Sequence, residues 1–182
     1  MYGVVLDKLD IENDAEILYR IMTSEEQCLF STKLNLCTKD AFLKWFLNRL
    51  GRDFHDFLMV RLTSNGETAG YVHNYDFSLT HQTCRLVVYI LPAFQNTGLG
   101  GMAAVLFLKT LFEKYPLRKV YSTVYSYNQK SLENNRRAGF LEEGVLLDYR
   151  YYDGTFHNLH YFSVTREYFE KNFRKLVRSC SA

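Results

Sequence analysis

The residues with the clearest claim to chemistry are Gln95-Asn96-Thr97-Gly98-Leu99-Gly100-Gly101. They follow an apolar run, Leu86-Val87-Val88-Tyr89-Ile90, and lead into a second one, Met102 to Leu108. That order reads as strand, glycine-rich turn, helix. A helix start leaves its first backbone N–H groups without partners, and the helix dipole adds positive potential there, so the turn is a place for an anion. Gly98 and Gly100 carry no Cβ to hold a phosphate away. The first expectation is therefore a phosphate-bearing ligand on the main chain of this turn.

Three glycine-loop patterns compete for it. A P-loop needs Gly-x-x-x-x-Gly-Lys-Ser/Thr, and no lysine follows before Lys109. The dinucleotide fingerprint matches formally as Gly98-x-Gly100-x-x-Ala103. However, the next strand, Val120 to Tyr125, carries no acid for a ribose, and only one strand–helix–strand unit exists. The third pattern is Gln-x-x-Gly-x-Gly at a strand–helix junction, an acyl-CoA loop. Downstream stand Asn128-x-x-Ser131, Arg137-Ala138-Gly139-Phe140 and Glu142-Glu143-Gly144. This combination resembles the GNAT superfamily of N-acetyltransferases, in particular the branch with the ribosomal-protein N-terminal acetyltransferases RimJ and RimL. The resemblance is strong over residues 83–165 and weak before them.

Hydrophobic periodicity supplies the elements that must position these residues. Residues 3–9 read as a strand and 14–22 as a helix with Asn13 at its N-cap. A helix over 39–50 is capped by Thr38 and buries Phe42, Leu43, Trp45, Phe46 and Leu50. Residues 56–62 and 68–77 form a hairpin around Ser64-Asn65-Gly66, and 83–91 returns antiparallel. A nearly all-apolar helix, 98–115, ends at Pro116, and a strand follows at 119–125. A polar helix, 128–138, ends on Gly139 as a left-handed cap. Strands 141–152 and 155–165 turn at Asp153-Gly154, and a basic helix covers 166–178. The fold class is mixed α/β: one domain over 1–182, with a mostly antiparallel sheet of about seven strands and a single parallel crossover within 86–125. The GNAT resemblance implies the same order of elements.

The resemblance also implies roles. The fourth and fifth strands should splay, with acetyl-CoA as cosubstrate lying in the gap against the backbone of Val88, Tyr89 and Ile90. Main-chain N–H groups of Gln95, Asn96, Thr97, Gly98, Leu99, Gly100 and Gly101 should hold its pyrophosphate. Asn128 matches the asparagine that bonds the CoA arm, and Ser131 matches a position near the thiol, able to protonate it. Many members place a tyrosine acid where this chain has Asn135, and an amide cannot replace it. The implied reaction is attack of an amine on a thioester, with the oxyanion held by backbone N–H near Tyr89.

The residues themselves force no general base. His73 and Asp76 lie on the third strand near the presumed acceptor cleft, and His73 could titrate in the useful range. The bland alternatives are a structural histidine, a turn-capping aspartate and, for Ser131, a hydroxyl bonded to its own helix. His157 and His160 fall on opposite faces of one strand. Tyr149, Tyr151 and Tyr161 either line an acceptor pocket or pack the sheet. Arg136, Arg137 and the basic residues Lys171, Arg174, Lys175 and Arg178 read as solvated faces, with an anionic contact as the minority reading.

Composition bounds the rest. The 182 residues are 47% hydrophobic and 16% aromatic, which suits a globular domain. A net charge of +2 argues against nucleic acid as partner. Cys28, Cys37, Cys84 and Cys180 form no C-x-x-C pair, which argues against zinc and fits a reducing compartment. No run reaches membrane-spanning length. The expectation is a cytoplasmic enzyme with an amine acceptor, no metal, and a homodimer admitted but not required. A non-catalytic acyl-CoA-binding module is the alternative.

Overall fold

We describe residues 3–29, 34, 36, 38–53 and 55–173 of the protein from a computed structural model. Seven strands form one sheet in the order β1-β2-β3-β4-β5-β7-β6. They are β1 (Val4–Lys8), β2 (Phe57–Leu62), β3 (Thr68–Ser78), β4 (Thr83–Ile90), β5 (Lys119–Tyr125), β6 (Leu141–Tyr152) and β7 (Thr155–Thr165). Every neighbouring pair is antiparallel except β4 and β5, which run parallel across the crossover helix. The expected fold class and strand bounds hold, those of β5, β6 and β7 to the residue.

Among the described residues five α-helices cover the sheet: α1 (Ile11–Met22), α2 (Lys39–Leu47), α3 (Leu99–Lys114), α4 (Gln129–Arg137) and α5 (Arg166–Asn172). Two expected bounds are corrected. Helix α1 begins three residues early because Asp10, not Asn13, is the cap; its carboxylate accepts from the Glu12 and Asn13 N–H groups. Helix α2 keeps Thr38 as its cap but ends at Leu47. Of the basic segment expected to 178, the part with Arg174, Lys175 and Arg178 lies outside the described residues, as do Cys37 and Cys180.

Alternation along the strands gives the sheet two packed faces. On one, α1 and α2 bury Leu18, Ile21, Phe42 and Phe46 against Phe57, Met59, Tyr71 and Tyr89. On the other, α3, α4 and α5 bury Phe107, Leu111, Leu132 and Phe169 against Val72, Leu86, Val120 and Phe162. Arg166 ties the end of α3 to the start of α5. Its guanidinium donates to the Phe112, Tyr115 and Leu117 carbonyls at 2.6, 2.7 and 2.8 Å, groups that a helix end leaves without partners.

Candidate active site

The parallel pair supplies the opening. Strands β4 and β5 pair only through Thr83, Cys84 and Arg85 with Lys119, Val120 and Tyr121. Beyond them Leu86–Ile90 and Ser122–Tyr125 diverge, which is the splay the resemblance implies. Strand parity says which main-chain groups face the gap. The Leu91 N–H donates to the Ala69 carbonyl at 2.8 Å. With the β3–β4 register this turns Tyr89 and Leu91 toward β3, and Val88 and Ile90 toward the gap. The Tyr89 carbonyl leans so close to Gly70 that a Cβ there would overlap it. Thus only Val88 and Ile90, of the three residues expected to present backbone, aim it into the opening.

The glycine turn sits at the gap's open end. A short 3₁₀ turn, Pro92–Phe94, leads into it, and the Thr97 hydroxyl donates to the Phe94 carbonyl at 2.5 Å. Asn96 and Gly98 take positive φ, 64° and 86°. Gly98 is the N-cap of α3, and no side chain caps that helix. The other four helices are each capped by a side-chain oxygen, from Asp10, Thr38, Asn128 and Thr165. The first main-chain bond of α3 is Met102 N–H to Gly98 carbonyl, so it uses none of the N–H groups of Leu99, Gly100 and Gly101. A Cβ at Gly98 or Gly101 would meet nothing within 4 Å, so there is open space beside both glycines of the turn. Bare donors, a helix dipole and room for tetrahedral oxyanions fit a pyrophosphate.

Helix α4 faces the turn across the gap. Lys130 Nζ donates to Gln95 Oε1 at 3.0 Å, and Gln95 Nε2 donates to the Ile90 carbonyl at 3.1 Å. Asn128 Oδ1 accepts from the Ser131 N–H at 3.1 Å, so part of its side chain serves as the α4 cap. Among the described residues the Ser131 hydroxyl makes no hydrogen bond, so it is not spent on its own helix. Asn135 donates back to the Ser131 carbonyl at 2.9 Å. Its amide is folded onto the helix instead of reaching the gap. Gly139 (φ 75°) closes α4, with its N–H on the Arg136 carbonyl and Phe140 N–H on the Asn135 carbonyl.

Helices α3 and α4 pack over one side of the gap, and the other side is the face of α1 and α2. His73 lies on that face, stacked on Phe57 and close to Tyr71. Burial pushes its pKa down to about 3, which corrects the expectation of a useful titration. Asp76 is 63% exposed at an irregularity of β3 and pairs with Arg85 at 2.9 Å. The Tyr89 ring stacks on Tyr71, and its hydroxyl donates to Glu26 at 3.0 Å. Burial first, then Glu26, raises the Tyr89 pKa. Glu26 was not anticipated; it stands in a 3₁₀ turn, Glu25–Leu29, that no periodicity announces.

Two guanidinium groups lie over tyrosine rings on this face. Arg85 stands 5.1 Å from Tyr161, and Arg150 stands 4.7 Å from Tyr125. Tyr149 and Tyr151 are largely exposed at the outer strand, with the Tyr149 ring stacked 6.5 Å from Tyr125, whereas Tyr161 lies under Arg85. The two β7 histidines do separate: His160 Nδ1 meets Glu142 at 2.5 Å, and His157 Nε2 meets the Tyr152 carbonyl at 3.2 Å. The glycine turn, Lys130 and Ser131 are thus brought together, while His73 is enclosed and Asp76 is held by Arg85. Among the described residues no group of three or more His, Cys, Asp or Glu could hold a metal.

Residues 4–141 match the family model described as an acetyltransferase (GNAT) domain. A putative ribosomal N-acetyltransferase, YdaF, of Bacillus subtilis is 24% identical over 168 residues, 91% of each chain. A spermidine N(1)-acetyltransferase of Escherichia coli is 31% identical over 94 residues, about half of each chain (52% of this one, 50% of the relative). The solved spermidine N-acetyltransferase of Vibrio cholerae, in complex with CoA and spermine, superposes with a TM-score of 0.81 at 16% identity, covering 92% of this chain and 98% of that one.

Proposed function

The chain belongs to the GNAT acetyltransferase family, and from that premise we propose how its residues divide the work. It transfers an acetyl group from acetyl-CoA to a primary amine. The observation that carries the reading is the diverging β4–β5 pair with the bare α3 N-terminus at its open end. Acetyl-CoA supplies an acetyl group already activated as a thioester.

The N–H groups of Leu99, Gly100 and Gly101 hold the pyrophosphate, and Gln95, Asn96, Thr97 and Gly98 shape the turn that bares them. Val88 and Ile90 pair with the amides of the pantetheine arm. The Val88 N–H, beside Tyr89, polarises the acetyl carbonyl where negative charge develops. Ser131 returns a proton to the departing thiolate, and Asn128 holds Ser131 in place through its N–H. Glu26, exposed at the Tyr89 hydroxyl, takes the proton of the amine through water. His73 stays neutral and structural, and Asp76 positions Arg85.

The acceptor is a protein N-terminus or a small-molecule amine. The relatives that act on spermidine make a polyamine the obvious rival. The acceptor face, however, carries Arg85 and Arg150 beside Asp76 and Glu26, not the cluster of acids that a polycation favours. Dependence on acetyl-CoA supports a cytoplasmic location. The outer hairpin supports a homodimer: of eleven exposed large hydrophobic residues among those described, seven lie on β6 and β7, with Leu147, Leu141 and Tyr151 the most exposed.

Thiol release and product mass test the reading, with acetyl-CoA offered to a peptide with a free N-terminus, an amino acid amide and spermidine. Acetylation of the peptide or the amide supports it. CoA binding without an acetylated product from any of the three would overturn it.

A further inference from the structure

We propose that Lys130 is a ligand for the pyrophosphate of the cosubstrate, held in the free protein by a strap that the cosubstrate must open. The inference rests on the acetyl-CoA reading above. The strap is the run Lys130–Gln95–Ile90, in which one carboxamide is bonded at both ends, 3.0 Å to the ammonium of α4 and 3.1 Å to the carbonyl of β4. It crosses the mouth of the gap between the turn that follows β4 and the helix that follows β5. Parity aims the Ile90 carbonyl into that gap. The Gln95 amide therefore occupies the acceptor that an amide of an incoming arm would use, and it must leave for the arm to pair.

A second observation concerns charge. Lys130 stands in the first turn of α4, at the positive end of the helix dipole, where a cation is unfavourable. Helices α1, α2 and α5 carry acids in their first turns, namely Glu12 with Asp14, Asp40 and Glu167. Helices α3 and α4 carry none. The ammonium thus sits between two helix N-termini that carry no acid in their first turns, joined to the turn that leads into one of them. Three positive features converge with no carboxylate among them, and a pyrophosphate relieves all three. An exposed lysine whose only purpose is solubility has no such reason to sit here, because the same charge at a helix C-terminus would be favourable. Once Gln95 swings away, the Lys130 side chain is released beside the bare N–H groups.

Calorimetric titration of the full chain with CoA and with 3′-dephospho-CoA, across a series of salt concentrations, tests this. The chains are wild type, Lys130→Gln, Lys130→Arg and Gln95→Ala, each first checked by thermal melting. Lys130→Gln is expected to weaken both ligands about tenfold, the size of one charge-assisted hydrogen bond, and to flatten the salt dependence. Lys130→Arg should keep that dependence. Gln95→Ala, which opens the strap and leaves the cation, should tighten CoA binding. Wild-type affinity and salt dependence in Lys130→Gln would overturn the proposal, as would a loss confined to CoA, which would place the lysine on the 3′-phosphate. Weaker binding by Gln95→Ala would overturn the strap. Failure of the wild-type chain to bind CoA would overturn the acetyl-CoA reading itself, and this inference with it.

Discussion

Ser131 and His73 show how environment sorts residues that look equally eligible by type. Ser131 is in the first turn of α4 with its N–H taken by Asn128 and its hydroxyl uncommitted. Ser131→Ala should lower kcat at least tenfold while leaving the Kd for acetyl-CoA unchanged, because a proton donor acts only as the thiolate leaves. Steady-state rates with titration of acetyl-CoA check both halves. His73 is enclosed by aromatic rings, and its pKa falls from 6.5 to about 3. Above pH 6.5 neither the folded nor the unfolded chain holds this proton. Below it the unfolded chain binds a proton that the folded chain refuses, so stability falls as pH drops toward 3. By pH 5 the loss is about 2 kcal/mol. His73→Phe should flatten the melting temperature between pH 7 and pH 5; an unchanged slope would place the histidine elsewhere. Ser131 stood out in the sequence through Asn128-x-x-Ser131 and the family resemblance, whereas enclosure of His73 was not legible, since one strand cannot announce what packs upon it. Glu26 was illegible for the converse reason: its partner Tyr89 lies 63 residues away.

Elements were read best where punctuation is strong. The Asp153-Gly154 turn and the Pro116 stop bracket their strands so tightly that β5, β6 and β7 fall where periodicity puts them. The start of α1 was missed because Asp10 and Asn13 are both good caps, and only the chain's path decides between them. Gly139 was legible as a left-handed cap. Its second role was not: the Tyr168 hydroxyl of α5 occupies the place a Cβ would take. Gly139→Ala therefore combines backbone strain with a clash and should cost about 2 kcal/mol or more. A chemical denaturation curve within experimental error of wild type would refute that. Arg166 fastens three carbonyls at the end of α3. Arg166→Ala should cost about 3 kcal/mol, and Arg166→Lys should restore little of it, because an ammonium lacks the planar fork that reaches all three. Denaturation midpoints of the two variants check the ranking.

The whole molecule divides its labour by face. Helices α3 and α4 close one side of the sheet and present two helix N-termini at the β4–β5 gap, and α1 and α2 cover the other side. The gap itself comes from a pairing that stops after Arg85 and Tyr121. No local pattern marks that stop, since Leu86 to Ile90 reads as uninterrupted strand; the family resemblance alone made it expected. The outer hairpin turns its apolar residues to solvent, so light scattering should report a dimer, and Leu147→Lys with Tyr151→Lys should return it to monomer with α-helical and strand content intact. A wild-type monomer at micromolar concentration would refute that assembly. The central claim is that the cleft carries an acetyl group from acetyl-CoA to an amine. Its most direct test is mass spectrometry of an amine-terminated peptide and an amino acid amide after incubation with acetyl-CoA, with wild type beside Gly98→Val. The account predicts an acetylated amine and stoichiometric free CoA from wild type, and neither from Gly98→Val, whose turn cannot hold φ 86°. Acetyl-CoA left intact by wild type with every amine, or undiminished acetylation by Gly98→Val, would contradict it.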